Sequence, residues 1–149
     1  MITDPIFNSD RQYIQKILTE GDSSGEMVIK GALSRPIFCK DKTNVYQIVG
    51  VNASFVKEKY VEIFVAVDLT TTIPKFDGRA VKSFYFSTDS LQNIEEISES
   101  DAKTGYQRPE WRRLQKYIEK EKKNIIQGTD YDLDPMTFTD LNSTINIVK

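Results

Sequence analysis

The run Tyr60-Val61-Glu62-Ile63-Phe64-Val65-Ala66-Val67-Asp68-Leu69 decides the fold class. Val61, Ile63, Val65 and Val67 fall on one face of an extended chain, and Tyr60, Glu62, Phe64 and Ala66 on the other. β-Branched residues crowd the segment because a pleated surface accommodates them, whereas a helix restricts their χ1. The spacing therefore predicts a strand, the strongest in the chain.

Neighbouring segments extend the same pattern. Toward the C-terminus, residues 70–78 contain Pro74 and Asp77-Gly78 and read as a long hairpin connection. Residues 79–87 alternate again, with Val81, Ser83 and Tyr85 set against Lys82, Phe84 and Phe86. Toward the N-terminus, residues 45–51 form a strand, residues 52–59 a connection, and Asp41-Lys42-Thr43-Asn44 a turn. Before it come Met27-Val28-Ile29 and Ile37-Phe38-Cys39, two extended stretches interrupted by Gly31 and Pro36. Nothing between these strands has a helical period, and parallel neighbours need long crossovers, so an antiparallel meander follows.

Two helical patterns flank the meander. Asn8 or Ser9 is placed to cap the first. Its apolar residues Tyr13, Ile14, Ile17 and Leu18 share one face, and Gly21 ends it, opening a loop over residues 21–25. The second, over residues 109–127, opens with Pro109, where the missing N–H costs nothing. Trp111, Leu114, Tyr117, Ile118 and Ile125 trace its buried stripe, and Gly128 stops it. Between meander and second helix, residues 89–103 are acidic, and Leu91, Ile94 and Ile97 fit two short helical turns. Residues 129–149 read as a peripheral tail or edge element, in which Thr144 to Val148 could form a strand. The expectation is a single α+β domain over residues 1–149, an antiparallel meander of about four to five strands with an N-terminal and a longer C-terminal amphipathic helix.

Composition narrows the chemistry. The chain has 149 residues and no histidine, which removes Ser–His and Cys–His nucleophilic systems, imidazole general bases and histidine-built zinc sites. The single cysteine, Cys39, lies in an apolar strand-like run and reads as a core residue. A net charge of −2 and a pI near 5.3 remove the global argument for nucleic-acid binding. Isoleucine (16) exceeds leucine (7) and lysine (14) exceeds arginine (6), as AT-rich codons produce, which points to a low-GC bacterium, its phage or another mobile element. The longest apolar stretch, Ile63 to Val67, is far too short to cross a membrane as a helix. With no basic, apolar leader at the N-terminus, a cytoplasmic protein is expected.

Three features remain as candidates for function. The helix over 109–127 and its flank carry Arg108, Arg112, Arg113, Lys116, Lys120, Lys122 and Lys123 against Glu110, Glu119 and Glu121. Arg108, Arg112, Arg113, Lys116, Lys120 and Lys123 are the candidate binding surface. Asp130, Asp132 and Asp134 alternate as hard cation ligands would, but the loop fails as an EF-hand, with Pro135 where glycine is needed and Leu141 where a bidentate glutamate belongs. They read as a solvated acidic loop. Tyr60, Phe64, Phe84 and Phe86 could stack bases if exposed, but read as core. The expected function is a non-catalytic binding or regulatory protein acting on another protein, with no cofactor. Nucleic-acid binding through the same helix is the alternative, and a carboxylate- or metal-dependent enzyme a further one.

Overall fold

The computed structural model describes residues 2–20, 27–70, 83–106, 110–127 and 136–140. The loop at 21–25, the connection beyond residue 70, the start of the fourth strand before Ser83, the Arg108-Pro109 opening, the Gly128 stop and the element at 144–148 lie outside these residues.

Helix α1 (Pro5–Glu20) begins before either expected cap, three residues ahead of Asn8 and four ahead of Ser9. Asp4 is the capping residue: its Oδ1 accepts the Phe7 N–H at 3.0 Å, and Pro5 takes the first helical position. Asn8 and Ser9 therefore lie inside the helix rather than at its start. Phe7, Asp10, Ile14 and Leu18 form its buried stripe, while Tyr13 and Ile17 pack at the margin.

The sheet has the order β4-β3-β2-β1-β5, and a sixth strand also pairs with β1. Strand β1 (Met27–Lys40) is one continuous element despite Gly31 and Pro36. Its ladder to β2 (Val45–Val56) runs to Ala32 opposite Gly50 and resumes at Ile37 opposite Ile48. Leu33, Ser34, Arg35 and Pro36 thus bulge opposite Val49. Pro36 falls where no ladder bond is asked of it, which is how proline is tolerated here. At the β1–β2 turn, Asp41 Oδ1 accepts the N–H groups of Thr43 and Asn44, both at 2.8 Å.

Strand β2 continues past residue 51 and meets β3 (Lys59–Asp68) through a two-residue turn, so residues 52–59 are not a connecting loop. Lys57 and Glu58 have φ of 52° and 63°. Positive φ at both positions matches the twist of a tight hairpin, but neither residue is of the Asn or Gly type that signals it. Strand β4 (Ser83–Ser87) pairs antiparallel with Ile63 to Val67.

The acidic segment is more varied than two helical turns. A 3₁₀ turn over Asp89–Asn93 leads to a three-residue strand, β5 (Glu95–Ile97), which pairs antiparallel with Phe38 to Lys40, and then to α2 (Glu99–Tyr106). The edge of β1 captured Glu95-Glu96-Ile97, a tertiary pull that local periodicity does not carry. After α3 (Trp111–Gln127), β6 (Met136–Asp140) pairs parallel with Val28 to Ala32. Among the described residues this is the one departure from antiparallel pairing.

Helices cover both sheet faces. On one, α1 lays Phe7, Ile14 and Leu18 over Ile29, Ile37, Ile48, Val51, Phe64 and Ala66. On the other, α2 and α3 bring Ala102, Trp111, Leu114, Ile118 and Ile126 against Ala32, Phe38, Val49, Val65 and Val67. The alternation of β3 is thus explained: its two faces enter two different cores. Trp111 and Phe38 meet with ring centroids 5.7 Å apart. Gly50 lets α3 approach, since a Cβ there would lie 2.6 Å from Ile126 Cδ1 and 2.8 Å from the Gly31 carbonyl oxygen.

The β1 bulge is tied to α1 by two carboxylates. Asp10, fully buried, accepts the Ser34 N–H at Oδ2 and the Ser34 hydroxyl at Oδ1, each at 2.8 Å. Burial pushes its carboxyl above the usual range, more than the Ser34 bonds lower it. Asp4 accepts Arg35. Burial opposes the charge there too, but Arg35 and the Phe7 N–H outweigh it and hold Asp4 below its ordinary value.

Two outcomes test this packing. Asp10→Ala leaves the Ser34 donors without their buried acceptor and is expected to cost about 2–3 kcal/mol in urea unfolding. Gly50→Ala meets an unyielding carbonyl as well as a flexible Ile126, and is expected to cost about 1–3 kcal/mol by the same measurement.

Candidate functional surface

Helix α3 turns Trp111, Leu114, Ile118 and Ile126 into the core, which fixes what it shows outside. At 100° per residue, Arg112, Lys123, Lys116, Lys120 and Arg113 fall within about 100° of arc. All five are exposed, and they lie opposite the buried stripe. From Arg112 to Lys123 the stripe is about 17 Å long. Five of the six expected surface residues therefore share one face, and Arg108 lies outside the described residues.

The acids of α3 sit beside or behind this stripe. Glu119 engages Lys122 at 3.1 Å, and Glu121 Oε2 accepts Asn124 Nδ2 at 2.8 Å. On the inward side, Gln115 Nε2 donates to the Gln47 Oε1 of β2 at 2.8 Å and helps fix the helix azimuth. Arg112, Lys116 and Lys120 form no ion pair among the described residues. The preceding acidic segment spends two of its carboxylates elsewhere: Glu95 faces Lys40 at 3.8 Å, and Glu96 Oε1 accepts the N–H groups of Thr3 and Asp4 at 2.7 and 3.1 Å.

The other candidates fare differently. Asp130, Asp132 and Asp134 lie outside the described residues, among which no group of three metal-ligating side chains is found. Phe64 is core, its ring centroid 5.6 Å from that of Phe7, and Tyr60 packs against the same core. The side chains of Phe84 and Phe86 lie outside the described set. Cys39 is fully buried in the α1-facing core, and burial, with smaller contributions from Asp41 and Glu96, pushes its thiol up to about 12.

A polar cluster absent from the sequence expectations sits between α1 and β3. Glu62 is buried, and Arg11 grips it with Nη2 and with Nε, the latter at 3.2 and 3.4 Å from the two carboxylate oxygens. Tyr60 donates its hydroxyl to Glu62 Oε2 at 3.2 Å, and Thr88 reaches Oε1 at 3.4 Å. The Arg11 guanidinium lies over the Phe64 and Phe7 rings, 5.1 and 5.7 Å from their centroids. Burial, then Glu62, raises the Tyr60 phenol, keeping it a donor. The signal was available: Glu62 alternates with Phe64 and Ala66, so burying that face required a cation from the covering helix.

The fold is thus an α+β sandwich whose exposed third helix carries a basic stripe. No family model matches the chain, and no curated protein or solved structure matches it. No helix among the described residues is long and apolar enough to cross a membrane.

Burial makes the cysteine a clean reporter. At pH 8, a thiol-reactive dye is expected to leave the folded protein unmodified and to label Cys39 fully once denaturant is added. Rapid labelling without denaturant is the contrary result.

Proposed function

We propose that the chain is a non-catalytic binding protein that docks an acidic surface of a partner protein against the basic stripe of α3. The carrying observation is that Arg112, Lys116 and Lys120 are exposed and, among the described residues, without ion partners in a chain whose net charge is negative. Charge of one sign, segregated on a rigid helix, steers encounter and fixes the orientation of a partner. Gln115 and the Trp111 anchor hold the stripe in place, so little ordering is required on binding. Glu119 and Glu121 flank the stripe, and a folded partner can place its carboxylates to avoid them, whereas a continuous phosphate backbone cannot.

One observation favours nucleic acid instead. Among the described residues the exposed large hydrophobic side chains are Ile6 and Val61, neither on α3, so the stripe has no apolar anchor. A single exposed ion pair contributes only about 0.2–1 kcal/mol, and stable protein interfaces draw on buried aromatic or aliphatic anchors. Phosphates bind such a stripe through counterion release without an anchor.

The variant Arg112→Glu, Lys116→Glu, Lys120→Glu separates these readings. The fold should be unchanged by circular dichroism, since all three side chains are exposed. Affinity capture from a bacterial lysate should return a specific acidic protein with the natural chain and lose it with the variant. Retention of the same partner by the variant overturns the proposal. A 30-base-pair duplex shifted at 50 mM salt, with affinity falling steeply by 200 mM, selects the nucleic-acid reading.

A further inference from the structure

A cleft of about 470 Å³ opens between the N-terminal part of α1 and the 3₁₀ turn that follows β4. That is the size of a small-molecule site. Its floor is apolar, made by the buried side chains of Ile2, Phe7 and Leu91. At its rim stand Asn8, half-buried, and Gln92, exposed. Neither side-chain amide has a hydrogen-bond partner among the described residues. Among the described residues that line the cleft, Arg11 is the only charged one.

The Arg11 guanidinium is held from behind. Glu62 takes its Nε and Nη2 edge without itself lining the cleft. The rings of Phe7 and Phe64 lie against it, 5.7 and 5.1 Å from its central carbon. A planar guanidinium has a second donor edge, formed by Nη1 and the other hydrogen of Nη2. Nη1 has no acceptor among the described residues, and the side chain is 27% exposed. This second edge is therefore both free and fixed in place, so an incoming acceptor orders little. The neighbouring cleft, on the other side of Thr88, differs in sign: Glu62 and Asp89 line it together with Lys59.

We infer that this cleft binds a small organic acid, a single carboxylate carried on a short apolar body. The carboxylate accepts the free edge of Arg11 as a bidentate pair, the geometry that guanidinium and carboxylate share. The Asn8 and Gln92 amides donate to its remaining lone pairs, and the apolar body lies on Ile2, Phe7 and Leu91. Charge decides for an acid over a neutral or cationic ligand, since the described wall offers a cation and no carboxylate. Charge also decides for a carboxylate over a phosphate. Arg11 already shares its charge with Glu62, so it compensates one further negative charge better than two. The cleft is on the α1 side of the sheet and the basic stripe on the α3 side, so this site does not depend on the docking proposed for α3.

The test uses the full chain, labelled with ¹⁵N, titrated at pH 7 with hexanoate and 3-phenylpropionate, both ionised there. Saturable amide shifts are expected over residues 2–11 and 88–92 at millimolar acid. The matching primary amides, hexanamide and 3-phenylpropanamide, should bind about tenfold more weakly, having lost the charge. Acetate, which lacks the apolar body, should also bind about tenfold more weakly. Arg11→Lys keeps a cation for Glu62 but lacks the second donor edge, and should weaken both acids about tenfold. Gln92→Glu, an exposed change that leaves the core untouched, sets a like charge at the rim and should weaken them about fivefold. It keeps the test decisive if Arg11→Lys does not fold. Absence of shifts with both acids, equal binding of the acids and their amides, acetate matching hexanoate, or Gln92→Glu binding as the natural chain does overturns the proposal.

Discussion

A buried carboxylate organises one side of this protein. Asp10 is fully buried in α1, and its two oxygens each accept one bond from Ser34, from the amide and the hydroxyl, at 2.8 Å. A buried polar group is tolerated only when its bonds are made, so the pairing permits one placement of the helix over the sheet and disfavours its neighbours. That placement fixes the four-residue bulge of β1. The bulge restores alternation beyond it, putting Ile37 and Cys39 on the α1 side and Phe38 on the α3 side. The Asp4–Arg35 pair at the head of the helix and the Arg11–Glu62 pair near its middle repeat the device at two other points. Such pairs add little net stability, but leaving one member alone is costly, so they specify alignment more than they strengthen it.

What could be read from the sequence divides along this line. The stripe of α3, the double alternation of β3 and the antiparallel order of the meander all arise from periodic patterns within one element, and each is where it was expected. The start of α1 was equally local: Asp4-Pro5 is a cap followed by a proline, and the polar pair Asn8-Ser9 has the same capping chemistry one turn further on. The Lys57-Glu58 turn is different, because neither residue favours positive φ and only the tight pairing of β2 with β3 imposes it. The strands β5 and β6 are different again. Each is a short segment recruited by the edge of β1, and an edge that accepts a partner is not visible in that partner's own sequence.

The same division holds for the candidate sites. The α3 stripe was legible because helical spacing alone gathers Arg112, Arg113, Lys116, Lys120 and Lys123 onto one face. The Arg11–Glu62–Tyr60–Thr88 cluster joins three separate elements and was legible only in part, as an acid on an apolar face in need of a counterion. The end of β4 at Ser87 was not legible at all: Ser87 carries no stop signal of its own, and the departure is written in its hydroxyl contacts with Ser90.

The parallel pairing of β6 with β1 has a consequence for how the chain is made. Met136 sits opposite Val28, so a contact inside the sheet joins residues separated by most of the polypeptide. The β1–β2–β3 hairpins join near neighbours and can assemble while synthesis is still under way, but the outer flank of Val28 to Ala32 waits until residues 136–140 have left the ribosome. For that interval the nascent protein carries a bare strand where the finished one carries a sixth. The clamp of Asp10 on Ser34, just beyond Ala32, is complete without β6, so α1 and the bulge can hold the register of this strand while its final partner is still being translated.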